Sequence, residues 1–320
     1  MSKNNGTGAN AAENENFDGL QQTKLKTLNS FNAGVGFSVH AVSMIVITLL
    51  VSVIILVAKI DTESNVFKYL NYLVSPIAIF ICLLSVIKVR KIALKPLFPV
   101  KTHPKYYILA LLLIFGLLFS VSYVNEGFLF VLKKCGYVPK QSYLPELEGT
   151  LIIPALFVIA VLPAVFEEAL FRGLILNCAL RQMGTVRAVL TVGFCFSIAH
   201  GSPEQTFYQF ICGCAFALLA VRSQSILPCV LIHFLNNALI VILSACQVMT
   251  PEGALLIPFG FKILVSVLSA LSFIGATIWL ILDKKPVLKC EKGGVKLFYI
   301  AAALGIIVFA VIWISSLFIH

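Results

Sequence analysis

Charge is scarce in this chain of 320 residues: Asp, Glu, Lys and Arg make up 12%, and only 14 residues are acidic. With 59% hydrophobic residues and a mean hydropathy of +0.98, the composition excludes a soluble globule as the main body of the protein. Several chemical signatures are lacking as well. There is no HExxH zinc-protease motif, and Ser202 has no GxSxG around it. The nine cysteines stand mostly singly inside apolar runs, as at Cys82, Cys178, Cys195, Cys229 and Cys246, which implies no disulfide framework. Cys212 and Cys214 form a CxC, but residues two apart on a helix point to different faces, which disfavours a metal site there. No inverted repeat, soluble domain or nucleic-acid signature is visible.

What is present is a series of apolar runs long enough to cross a hydrocarbon layer of about 30 Å. They lie at about 38–58, 72–87, 106–124, 149–180, 186–200, 206–221, 226–247, 263–282 and 297–318. The expected fold is therefore an all-α, polytopic transmembrane bundle of eight to nine spans, with nine the direct count. Residues 1–32, Asn-rich and without apolar periodicity, read as a disordered cytoplasmic tail rather than a signal peptide, and 33–320 as the membrane domain.

Loop 88–105 holds Lys88, Arg90, Lys91, Lys95, Lys101 and Lys105 with no acid, which marks it as cytoplasmic. If spans alternate, the N-terminus is inside and the C-terminus outside, and Arg181, Arg187, Arg222 and the lysine-rich segment 284–296 share the inner side. The net charge of +10 then reflects this bias and contact with anionic membrane lipids, and it needs no nucleic acid.

Few ionisable residues lie well inside a run. They are Glu167, Glu168 and Arg172 in the fourth, His200 closing the fifth and His233 in the seventh, while His40, His103 and His320 fall near edges or in loops. A charge at bilayer depth costs roughly 2.5–3.5 kcal/mol on insertion scales, so such residues point to function. On a helix Glu168 and Arg172, four apart, share a face and form an ion pair, leaving Glu167, desolvated beside a like charge, suited to act as a general base. A plain ion-pair cluster joining helices accounts for this segment alone equally well. In FCFSIAH, Phe196 and His200 share a face, and in HFLNN, His233 and Asn237 do. An imidazole and a carboxamide one turn apart can donate two hydrogen bonds to one oxyanion.

The order EExxxR, FxxxH, HxxxN on successive helices resembles the CAAX protease and bacteriocin-processing family of intramembrane proteases, over about residues 149–247. The resemblance implies a membrane-embedded endopeptidase. Glu167 would activate water with His200 as its partner, His233 and Asn237 would form the oxyanion site, and Glu168 and Arg172 would support them. Its substrate would be a peptide or lipidated protein. Glu167, His200 and His233 are also a usable zinc set; a glutamate-activated water without a metal cofactor is the preferred expectation. The alternatives are a proton-coupled secondary transporter, disfavoured by the gathering of polar residues in four consecutive segments, and a non-catalytic scaffold or immunity protein. Strict alternation leaves one mismatch, with His200 at the outer end of its run and His233 seven residues inside the inner end of its own. Either the 186–200 run is a short or tilted helix stopping midway, or the span limits are displaced by several residues.

Overall fold

The computed structural model describes residues 27–139, 144–248, 256–283 and 293–318, which are helical with no strand. Helix α1 is Ser30–Ala58, α2 Asn65–Val89, α3 Lys105–Lys134, α4 Gly149–Met183, α5 Thr185–Ala199, α6 Thr206–Ser223, α7 Leu227–Ala245, α8 Phe259–Leu282 and α9 Gly294–Ser315. Eight of these nine are long and apolar enough to cross a membrane, and the chain is an integral, multi-pass helical bundle. This falls within the expected eight to nine spans, and the ninth apolar run is the short helix α5: its 15 residues reach about 22 Å at 1.5 Å per residue, short of the roughly 30 Å hydrocarbon layer.

Residues 1–26 of the expected tail, most of the lysine-rich segment 284–296, and His320 lie outside the described residues. Helix α1 begins within the span assigned to the tail. Asn29 caps it, its side chain accepting the Asn32 N–H at 2.9 Å, so Ser30–Asn32 belong to the helix.

Leucines and valines such as Leu49, Leu56 and Val57 on α1 face outward, where lipid replaces water as solvent, while small residues set the inner contacts. Helices α1 and α9 approach so closely that a Cβ on Gly34 would stand 2.4 Å from the Phe298 carbonyl oxygen. The Ser38 hydroxyl joins the same pair, donating to the Ala301 carbonyl at 2.7 Å and accepting the Gly305 N–H at 3.2 Å. Gly193 on α5 and Gly213 on α6 make a second close crossing, a Cβ on Gly213 lying 2.8 Å from the Gly193 Cα.

Helix α4 runs through the middle of the bundle and is wound irregularly. It contains π-helical turns at Phe157–Val161 and Ala169–Leu176, and prolines at 154 and 163. From Leu170 to Leu176 every residue is buried, so this stretch has no lipid face at all. Wide π turns of this kind re-aim side chains and occur often at functional sites.

The chain geometry also accounts for depth. Gly184, at φ +73°, turns α4 into α5, and Glu167 and His200 lie 17 and 16 residues from it on antiparallel helices, hence at one level. The segment before α3 tucks into the protein beside the start of α7, with Leu97 fully buried. There Pro99 accepts the Ile226 N–H at 2.9 Å, and the Thr102 hydroxyl donates to the Ser223 carbonyl at 2.7 Å. Phe98 packs where a Cβ on Gly173 would be, 2.5 Å from its ring, which explains the glycine after Arg172. Of the two explanations for the depth mismatch, the short helix at 186–200 is the one that α5 matches, and the start of α7 packs on protein.

Candidate active site

Glu168 and Arg172 meet as their spacing predicts. Arg172 Nη1 donates to Glu168 Oε1 at 2.8 Å, and both side chains are fully buried. The guanidinium is held further by Nη2, which donates to the Gly213 carbonyl at 3.1 Å, and by aromatic faces, with Phe196 4.5 Å and Phe216 5.1 Å from its central carbon. Cation–π contacts of this kind add about 2 kcal/mol when desolvated.

Glu168 has a second partner that the sequence did not disclose. His233 Nδ1 lies 2.8 Å from the same Oε1. A carboxylate oxygen can only accept, so Nδ1 carries the proton and Nε2 turns the other way. His200 is fixed in the same sense. Its Nδ1 lies 2.7 Å from the Phe196 carbonyl, one of the terminal acceptors left over where α5 ends, so here too Nδ1 donates. The FxxxH spacing thus works through the Phe196 backbone, while the Phe196 ring packs edge-on against both imidazoles, at 4.7 Å and 6.0 Å between centroids.

Both Nε2 atoms flank one oxygen. Glu167 Oε2 is 3.9 Å from His200 Nε2 and 3.8 Å from His233 Nε2, and no group among the described residues hydrogen-bonds it. These separations exceed the 2.7–3.2 Å of a typical direct bond. Side-chain exposure falls from 23% at His200 through 13% at Glu167 to 6% at His233, so the cluster opens on the His200 side.

The structure therefore gathers Glu167, His200 and His233 at one point, with Glu168 and Arg172 behind His233. Asn237 stands one turn along α7, and its hydrogen bonds go elsewhere: Nδ2 donates to the Ile159 carbonyl at 3.1 Å, and Oδ1 accepts from Asn236 Nδ2 at 3.1 Å. His40, assigned by sequence to a span edge, is instead buried in α1 against Phe171 and Phe309. The eight described cysteines are all free.

The loop that follows His200 is tied on several sides. The Ser316 hydroxyl donates to the Gly201 carbonyl at 2.9 Å, and the Trp313 indole donates to Thr206 Oγ1 at 2.8 Å. Tyr137, just beyond α3, donates to Glu204 at 3.4 Å; burial and then the Glu204 carboxylate push this phenol up to about 12, so it stays a donor.

With this geometry in place, comparison with known proteins is informative. Residues 149–239 match the family model described as type II CAAX prenyl endopeptidase Rce1-like. This segment of the chain is similar to that family. That segment spans α4 to most of α7, and it contains all six residues of the EExxxR, FxxxH and HxxxN patterns that were singled out for chemistry or support. The match, together with the eight candidate spans, supports a membrane-embedded peptidase at the level of this family. No curated protein and no solved structure matches it.

A zinc ion can be tested against the cluster. By donor type Glu167, His200 and His233 fit, and each imidazole has its Nδ1 anchored behind it as metal-bound histidines do. Two zinc bonds of about 2.0–2.1 Å at a tetrahedral angle separate their donors by about 3.4 Å. A water with hydrogen bonds of about 2.8 Å separates two partners by about 4.0–4.6 Å for angles of roughly 90–110°. The observed 3.8–3.9 Å lies nearer to water, and among the described residues no group of three such side chains stands at metal-holding geometry.

Proposed function

We propose that this protein is an intramembrane endopeptidase that hydrolyses a peptide bond with a water activated by Glu167, acting on a CAAX-type, lipid-modified C-terminal peptide. The observation that carries the reading is the convergence of His200 Nε2 and His233 Nε2 on Glu167 Oε2 at 3.8–3.9 Å. Glu167 Oε2 and His200 Nε2 are acceptors and a protonated His233 Nε2 is a donor, so the point between them suits a small group that both donates and accepts, and a water does both.

Glu167 takes a proton from that water as its oxygen adds to the scissile carbonyl, and His200 Nε2 orients the water. The carbonyl π pair moves to oxygen. This oxyanion needs donors, and here the charge balance helps. Glu167 and Glu168 are two negative charges against the single positive charge of Arg172, so one further proton, on His233, neutralises the cluster. Protonated His233 keeps Nδ1–H on Glu168 and presents Nε2–H to the oxyanion. Asn237 Nδ2, with one N–H on Ile159, has its second N–H for the same oxygen. Collapse expels the amine, which takes its proton from Glu167.

A second reading keeps the residues and adds zinc, favoured by the donor set; a zinc ion on Glu167, His200 and His233 would supply Lewis-acid polarisation and a more acidic water. The test is hydrolysis of a farnesylated CaaX peptide by the purified protein, with and without a strong chelator. The metal-free reading expects chelator-resistant turnover that is lost in Glu167→Gln and His200→Ala. Chelator-sensitive turnover restored by stoichiometric zinc selects the second reading, and turnover retained in Glu167→Gln refutes both.

A further inference from the structure

The first asparagine of HFLNN, Asn236, has no part in the mechanism above, nor does Tyr208, a tyrosine inside a membrane helix. Yet they are joined. Tyr208 Oη on α6 donates to Asn236 Oδ1 at 2.7 Å, Asn236 Nδ2 donates to Asn237 Oδ1 at 3.1 Å, and Asn237 Nδ2 donates to the Ile159 carbonyl on α4 at 3.1 Å. The chain ends on a carbonyl four residues before Pro163, which has no N–H to give it.

A lone carboxamide can sit in either of two orientations that differ by exchange of oxygen and nitrogen. Here both ends are decided. The Ile159 carbonyl can only accept, so it takes the Asn237 nitrogen; Asn236 Nδ2 can only donate, so it takes the Asn237 oxygen. Asn237 Oδ1 can only accept, so it takes the Asn236 nitrogen, and the Asn236 oxygen left on the other side receives the Tyr208 hydroxyl. Asn236 is buried, so competing water does not loosen the arrangement.

We infer that Tyr208 and Asn236 are positioning residues that lock the Asn237 carboxamide with nitrogen toward α4, leaving its free N–H to face the developing oxyanion. This rests on the oxyanion role proposed for Asn237. It also suits the proline at 163, which offers no N–H to the Ile159 carbonyl, the fixed point against which Asn237 is set, about two turns of α4 before Glu167.

The test is steady-state hydrolysis of the farnesylated CaaX peptide by purified variants that melt within a few degrees of the wild type. Asn236→Asp keeps the size and the acceptor for Tyr208 but removes the donor to Asn237. It is expected to lower kcat about tenfold or more with KM unchanged, because an oxyanion donor acts in the transition state. In the Asn237→Ala background the same change is expected to have no further effect. Tyr208→Phe, which deletes one hydroxyl, is expected to lower kcat several-fold by the same route, and it carries the test if Asn236→Asp does not fold. Wild-type kcat in folded Asn236→Asp, or in Tyr208→Phe where that carries the test, overturns the inference provided Asn237→Ala is slow. So does an additive loss in the double variant. Wild-type kcat in Asn237→Ala removes the oxyanion reading itself, and the inference with it.

Discussion

Replacing Glu168 by Gln changes one atom and removes one charge at the most enclosed point of the molecule. Glu168 Oε1 receives Arg172 Nη1 and His233 Nδ1, each at 2.8 Å, with no exposure of either member of the ion pair. Hydrogen bonds to charged groups contribute about 1.5–3 kcal/mol each, and breaking a buried pair by removing one partner costs about 3–5 kcal/mol because the other charge is stranded. The glutamine carbonyl still accepts, and the Phe196 and Phe216 faces still hold the guanidinium, so the loss does not reach the sum of both bonds. A destabilisation of about 3–5 kcal/mol is expected, a large share of the 5–15 kcal/mol by which proteins of ordinary stability stay folded. Thermal or denaturant unfolding of the purified protein in detergent, followed by tryptophan fluorescence, measures it. Adding Arg172→Met removes the stranded charge and is expected to recover part of the loss, so the double variant melts above Glu168→Gln alone. A Glu168→Gln protein that unfolds with the wild type refutes the claim that this pair is desolvated and coupled to His233.

Glu167→Gln and His200→Ala are expected to abolish peptide hydrolysis while the proteins insert and melt near the wild type, since neither strands a buried cation; turnover in either purified variant contradicts the assigned roles. His233→Ala and Asn237→Ala are each expected to lower kcat by roughly 10²–10³ with a smaller change in KM, as read from steady-state kinetics. Gly193→Ala places a Cβ 2.4 Å from Cys214 Sγ at the α5–α6 crossing, and overpacking of this kind is expected to cost about 1–3 kcal/mol in the same unfolding assay. Trp313→Phe removes the indole donor to Thr206 and is expected to lower kcat several-fold by loosening the loop behind His200, with little change in melting temperature.

The polar residues of this site were legible because a membrane chain has so few of them. Glu167, His200 and His233 stand out against apolar runs, and their meeting at 3.8–3.9 Å is the outcome expected if intramembrane charges face one another. The i, i+4 rule found the Glu168–Arg172 pair but not the Glu168–His233 bond, which joins residues 65 apart in sequence and depends on how α7 packs against α4. Span counting left α5 open, because a 15-residue apolar run carries no sign of whether it crosses the membrane or stops against a partner. It also missed that Leu97 and Phe98, in a loop marked by its lysines, are packed inside the protein. His40 was set aside for lying near the start of a run, yet α1 begins ten residues earlier. The doubled asparagine and Tyr208 were the available signals for the hydrogen-bond chain to Ile159, and only the packing of α6, α7 and α4 joins them.

The central claim is that Glu167 makes this membrane protein a peptidase. It is tested most directly by sequencing new protein C-termini in membranes from cells that carry the wild type or Glu167→Gln at equal abundance. The account predicts a set of lipid-modified proteins shortened at the C-terminus in the wild type and left full-length with the variant. Identical C-termini in the two membranes would contradict it.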